Sequence, residues 1–113
     1  MEGYVKGDVV LVPFPLSGEE SFKVRPALVM AVLPYNRGND CLLCIITTQQ
    51  VDDPHLMALE ASDIKGGRLT QQCYLRPTYT YAIAEHLIKR RSGRLDDDNL
   101  QAAINSLVSV LTK

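Results

Sequence analysis

No stretch of this 113-residue chain approaches the roughly 20 consecutive apolar residues that a membrane-spanning helix needs, so no membrane role is expected. The opening MEGYVKGD lacks the apolar segment of a secretion signal, and the cytoplasm is the expected location. An excess of one charge is missing as well. Against 12 basic side chains stand 13 acidic ones, a formal net charge of -1, so any site for a polyanion has to come from local clustering. Cysteine is scarce and odd in number, which argues against a disulfide framework: Cys41, Cys44 and Cys73 are the three. CLLC does contain a C-x-x-C, but it lies in a strand-like apolar run with no second pair to complete a zinc site. Extended backbone would send its two thiols to opposite faces, so buried, reduced, structural cysteines are expected. The phosphate loop G-x-x-x-x-G-K-[ST], the G-x-S-x-G elbow and H-E-x-x-H are all absent, and His55 and His86 stand 31 positions apart. No metal and no cofactor is expected.

What is present reads as one domain over residues 1–113, long enough for a single continuous core. DVVLVPF (8–14) is a β-branched strand, and Pro13 and Pro15 fit only its end or a sheet edge. VRPALVMAVL (24–33) is a second, nearly all-apolar strand closed by the turn material PYNRGND. CLLCIITTQQ is a third that turns polar at Thr47, HLMALE a shorter fourth, and QQCYLRP and TYTYAIA continue the β pattern on either side of Pro77. Helical signals come late. EHLIKRRSG predicts a short helix stopped near Gly93, and DDDNLQAAINSLVSVLTK a longer one with acidic residues at its start. In the latter, Leu100, Ile104, Leu107 and Leu111 predict one apolar stripe laid against a sheet. Strands at short intervals followed by an amphipathic helix predict a mainly β fold, a small bent sheet or barrel carrying helices.

The stretch SFKVRPALVM places Lys23 and Arg25 at the mouth of the second strand. Pro26 has no N–H and biases Arg25 toward extended backbone, which presents a guanidinium where a loop meets the sheet. Five donors in a rigid, permanently charged fork suit phosphate oxygens; a surface ion pair with Glu19 or Glu20 is the alternative use. IITTQQ ends the third strand with two hydroxyls and two amides able to orient a ribose or a phosphate.

KGDVVLVPFPLSGEESFKVRPALVM, CIITTQQ, YLRPTYTYAIAEHLIKRRSGRL and a terminal amphipathic helix, in this order, resemble the MazF/PemK family of toxin endoribonucleases. The resemblance spans essentially the whole chain. It implies a small SH3-like (MazF/CcdB-type) barrel with a C-terminal helix, a homodimer that cuts single-stranded RNA at short sequences without metal, and a cognate antitoxin. It also implies that Arg25 and Thr47 are catalytic. Lys23, Thr48, Gln49 and Arg76 complete the expected RNA-contacting set. There are two departures. Ser21, Phe22, Lys23 and Val24 stand where glycines are common before the R-P arginine, which affects RNA contacts and sequence preference; Ala84 replaces an aspartate, which affects only helix capping. In the implied reaction the RNA's own 2′-OH attacks phosphorus, Arg25 binds non-bridging oxygens and Thr47 holds the phosphate or the hydroxyl. The general base is left unassigned. Lys89, Arg90, Arg91 and Arg94 offer either a cationic patch or a solvated helix face. Two rival functions share the fold: a CcdB-like gyrase poison, for which LVSVLTK offers no aromatic anchor, and an inactive RNA-binding barrel.

Overall fold

The computed structural model of the chain describes residues 3–15, 22–35, 38–67 and 71–113. Within these, strands β1 (Asp8–Pro15), β2 (Phe22–Tyr35), β3 (Gly38–Thr47), β4 (Met57–Leu59), β5 (Ile64–Lys65), β6 (Cys73–Ala84) and β7 (Arg90–Leu95) precede one α-helix, α1 (Asp97–Leu111). The strands pair in the order β4-β6-β3-β2-β1-β7-β5, antiparallel throughout, as one curled sheet that forms a half-barrel. This is the mainly β fold with a terminal helix that the strand spacing predicts.

Both faces of the central strands are buried, which explains their nearly unbroken apolar runs. Along β3, Cys44 and Ile46 enter the core that contains Leu28, Leu75 and the apolar side of α1, while Cys41 and Leu43 enter a second core with Val10, Val12 and Ile88. The two thiols of CLLC thus lie on opposite faces, and all three cysteines are free and buried. Leu28, Leu43 and Leu75 are fully buried. Each stabilises the fold by about 1.5–3 kcal/mol relative to exposure.

Three expectations change. EHLIKRRSG is not a helix: a 3-10 turn at Glu85–Leu87 leads into β7, which pairs with β1. Pairing with a strand from the far end of the sequence overrides the helical preference of Lys and Arg. QQCYLRP and TYTYAIA form one strand, β6, whose register on β3 jumps from Ile45↔Arg76 to Cys44↔Thr80. Pro77, with no N–H for a ladder, sits in the displaced segment. Finally, α1 buries Leu100 and Ala103 and partly buries Ile104 and Leu107, but Leu111, the last residue of the helix, is 72% exposed. The 3-10 turn begins after Ala84 with no side-chain cap, as expected from the missing aspartate. Glu19 and Glu20, the alternative partners for Arg25, and Ser21 lie outside the described residues.

Candidate active site

A proline decides where the sheet opens. β2 pairs with β1 at Val12↔Arg25 and Leu11↔Pro26, but its ladder with β3 begins only at Ala27↔Ile45. Beyond that point β3 stays with β6, through Ile46↔Leu75 and Thr47↔Tyr74. Pro26 has no N–H to offer, and β2 and β3 part beside it. The parting leaves a cavity of about 240 Å³ lined by Arg25, Pro26, Ile45, Ile46, Thr47, Thr48, Gln49, Cys73 and Tyr81.

Four of the six predicted site residues therefore meet at one place: Arg25, Thr47, Thr48 and Gln49. Arg25 is exposed, on a strand whose backbone is pinned by β1. Among the described residues no carboxylate pairs with its guanidinium. The Gln49 backbone N–H donates to Thr47 Oγ1 at 3.1 Å. That bond fixes the hydroxyl and leaves its own hydrogen to donate to a substrate oxygen. Lys23 shares the strand face of Arg25, two residues away, but is not in the cavity wall.

Arg76 is used differently. Its Nε donates to Asp53 Oδ2 at 2.9 Å, and its guanidinium lies 5.0 Å from the centre of the Tyr79 ring. The carboxyl of Asp53 also accepts the His55 backbone N–H at 2.9 Å, and that bond, followed by Arg76, holds it below the usual carboxylate range. Arg76 and Asp53 thus form a paired unit on the wall of β6 rather than part of the cavity lining.

Cys73 and Tyr81 are cavity residues that sequence reasoning missed. Their only signal was strand periodicity in QQCYLRPTYTYAIA, which cannot say which face adjoins a gap. Burial raises the Cys73 thiol and pushes the Tyr81 phenol up to about 12, so both stay protonated near neutral pH. Neither is suited to accept a proton there. His55 sits in a turn through its backbone bond to Asp53, and His86 lies in a separate cavity with Tyr35, Asp40 and Glu85. No group of three or more metal-ligating side chains occurs among the described residues.

The basic run divides. Asp8, only 2% exposed, receives Arg91 at 3.1 Å and Arg94 at 3.3 Å, and its carboxyl also accepts the Val5 backbone N–H at 2.9 Å. Arg91 further covers the Tyr4 ring at 5.6 Å. Two of the four cations are committed to holding β7 on β1; Lys89 and Arg90 stay exposed.

Comparison with solved structures finds this fold in known proteins. The chain superposes with a TM-score of 0.76 on a chain of a MazE–MazF crystal from Deinococcus radiodurans, at 22% identity over 99% of this chain and 98% of that one. MazF alone from the same organism gives 0.74 at 22% identity, covering 100% of both chains. An endoribonuclease solved with its cognate antitoxin from a mycobacterial species gives 0.68 at 15% identity, covering 96% of this chain and 95% of that one. No curated protein matches the sequence. No helix among the described residues is long and apolar enough to cross a membrane. Residues 5–111 match the family described as PemK-like, MazF-like toxins of type II toxin–antitoxin systems, and the chain belongs to that family.

Proposed function

We propose that the chain is a metal-independent endoribonuclease toxin of the cytoplasm that cuts single-stranded RNA, messenger RNA foremost, at short preferred sequences. The observation that carries this reading is that Arg25, Thr47 and Thr48 line one cavity. A phosphodiester seated there meets a fork of permanent positive charge and two hydroxyl groups, the set needed to stabilise an added negative charge on phosphorus. RNA brings its own nucleophile. Its 2′-OH gives up its proton as the oxygen attacks phosphorus, the bond to the 5′-oxygen breaks, and the departing oxygen takes up a proton as a 5′-OH, so one proton is released for the one consumed. The upstream fragment keeps a 2′,3′-cyclic phosphate. Arg25 binds the non-bridging oxygens, Thr47 orients phosphate or hydroxyl, and Thr48 and Gln49 hold the adjoining sugar-phosphate. A cognate antitoxin with an acidic, initially disordered tail would lay carboxylates where the phosphates go and fold on binding.

The test is a long single-stranded RNA with its ends mapped after digestion in excess EDTA. Cleavage with cyclic-phosphate and 5′-OH ends is expected, and replacing only the nucleotide 5′ to the cut by its 2′-deoxy analogue should abolish that cut while RNA binding persists. A 5′-phosphate product, normal cutting of the deoxy substrate, or loss of activity on chelation would overturn the mechanism.

A further inference from the structure

A second cavity of about 260 Å³ adjoins the first. Arg25, Pro26, Ile46, Thr48 and Cys73 line both, so these residues stand between them. The first cavity takes the rest of its wall from β3, β6 and Gln49; the second takes Val9 and Leu11 from β1, Ile64 from β5, Ser92 from β7, and Gln71. At ~30 Å³ per water each has room for about eight molecules, the space of a planar heterocycle and far more than an ion needs.

The second cavity is built on rigid backbone. Val9 pairs with Gly93 and Val10 with Arg91, so Ser92 is the extra residue of a β-bulge. Such bulges re-aim side chains, and this one brings Ser92 into the wall. Behind it the chain passes itself closely: a Cβ on Gly67 would come 2.7 Å from the Ser92 carbonyl oxygen, and one on Gly93 would come 2.7 Å from Ile64 Cγ2. Leu11 and Ile64 offer apolar surface for a ring face. Gln71 offers both a donor and an acceptor, and Ser92 a hydroxyl, for a ring edge.

We propose that this second cavity is a base-reading subsite: with the scissile phosphate held by Arg25 on the partition between the two cavities, one flanking nucleobase lies toward Tyr81 in the first, and the other enters between Leu11 and Ile64 in the second, where Gln71 and Ser92 read its edge. The proposal rests on the endoribonuclease reading above. It assigns part of the sequence preference to Gln71 and Ser92, on strand and turn residues rather than on the segment ahead of Arg25.

The experiment is single-turnover cleavage of short RNAs carrying each of the four bases, in turn, at the two nucleotides flanking the cut. Wild type is compared with Gln71→Ala and Ser92→Ala, with thermal melts as a folding control. Gln71 is exposed, so its truncation should leave the fold intact. Gln71→Ala is expected to shrink the preference at one flanking nucleotide by roughly 10- to 100-fold and leave the other unchanged, and Ser92→Ala should act at the same nucleotide less strongly. If wild type cuts but both folded variants keep its preferences at both nucleotides, the subsite is wrong and the nuclease reading stands. A uniform loss of rate on all substrates, with an unchanged melting temperature, would assign Gln71 to phosphate or catalysis and also overturn it. If wild type cuts no RNA, both readings fall.

Discussion

Arg25 owes its usefulness to its neighbours in sequence and across the sheet. Pro26 withdraws a donor from the ladder, β1 holds the backbone from the other side, and the guanidinium is left at the edge of a gap. Arg25→Ala should therefore remove cleavage by several orders of magnitude with no change in melting temperature. Arg25→Lys should fail nearly as badly, because an ammonium cannot reproduce a bidentate contact. Near-full activity in the lysine variant would replace the forked contact by a simple point charge. Thr47→Ala should cost about 10- to 1000-fold, by analogy with the loss of one oxyanion donor, which costs about 100- to 1000-fold; an unchanged rate would move the role to Thr48. A second residue-scale prediction concerns Asp53, whose folded carboxyl titrates below its ordinary value of 3.8. A lowered pKa contributes stability that is present above the unfolded value and is lost as pH falls through the folded one. Wild type should thus be more stable than Asp53→Asn near neutral pH, and the gap should close in acid. Melting curves with a constant gap from neutral to strongly acid pH would reduce the Asp53–Arg76 pair to packing alone.

At the scale of elements, β7 shows both what the sequence makes legible and what it hides. Arg91 and Arg94 are three apart, a spacing that a regular strand would send to opposite faces; the bulge at Ser92 lets both reach Asp8. Nothing local in EHLIKRRSG announces this, since the decisive partner lies in β1. Strands β1 to β3 are legible because their own side chains carry the signal: both faces are buried, so each reads as an apolar run without help from distant residues. The site divides along the same line. Arg25 and Thr47 are visible through R-P and the polar end of IITTQQ, whereas Cys73, Tyr81, Gln71 and Ser92 come to line the two cavities only once the chain from Gln71 through β7 takes its place in the sheet. Gly7 belongs to this clamp too. Its φ of +98° and a Cβ position 3.1 Å from Leu100 Cδ2 favour glycine where the chain turns into Asp8. Asp8→Asn keeps the shape and loses the charge that both arginines face, and should lower stability by about 2 kcal/mol, on the order of 10 °C in melting temperature. A calorimetric shift under about 2 °C would show that solvent compensates the freed arginines.

At the scale of the whole molecule, a net charge of -1 gives RNA no general attraction. On the endoribonuclease reading, RNA binding has to come from the exposed cations around Arg25, including Lys23, and should weaken steeply with salt. The molecule also carries an apolar groove of about 650 Å³ beside α1, lined by residues that include Val5, Met30, Val32, Ile104, Leu107 and Val108. Val108 is 48% exposed and Leu111 72%. A homodimer that covers this face would account for both, and it would give a small barrel enough surface to grip several nucleotides. Sedimentation at micromolar concentration should find a dimer, and Val108→Asp combined with Leu111→Asp should shift it toward monomer. A fully active wild-type monomer would remove the dimer from the account.

The placement of Arg25 on an exposed rim, with no part in the ion pairs that clasp β7 to β1, has a consequence for dosage in the cell. On the endoribonuclease reading, poison and decoy differ by one side chain. A chain that has lost this guanidinium keeps its barrel and most of the surface that an antitoxin would grip, so it would soak up antitoxin without cutting anything. Inert copies would then liberate active ones, and a defective allele beside an intact one would raise toxicity rather than dilute it.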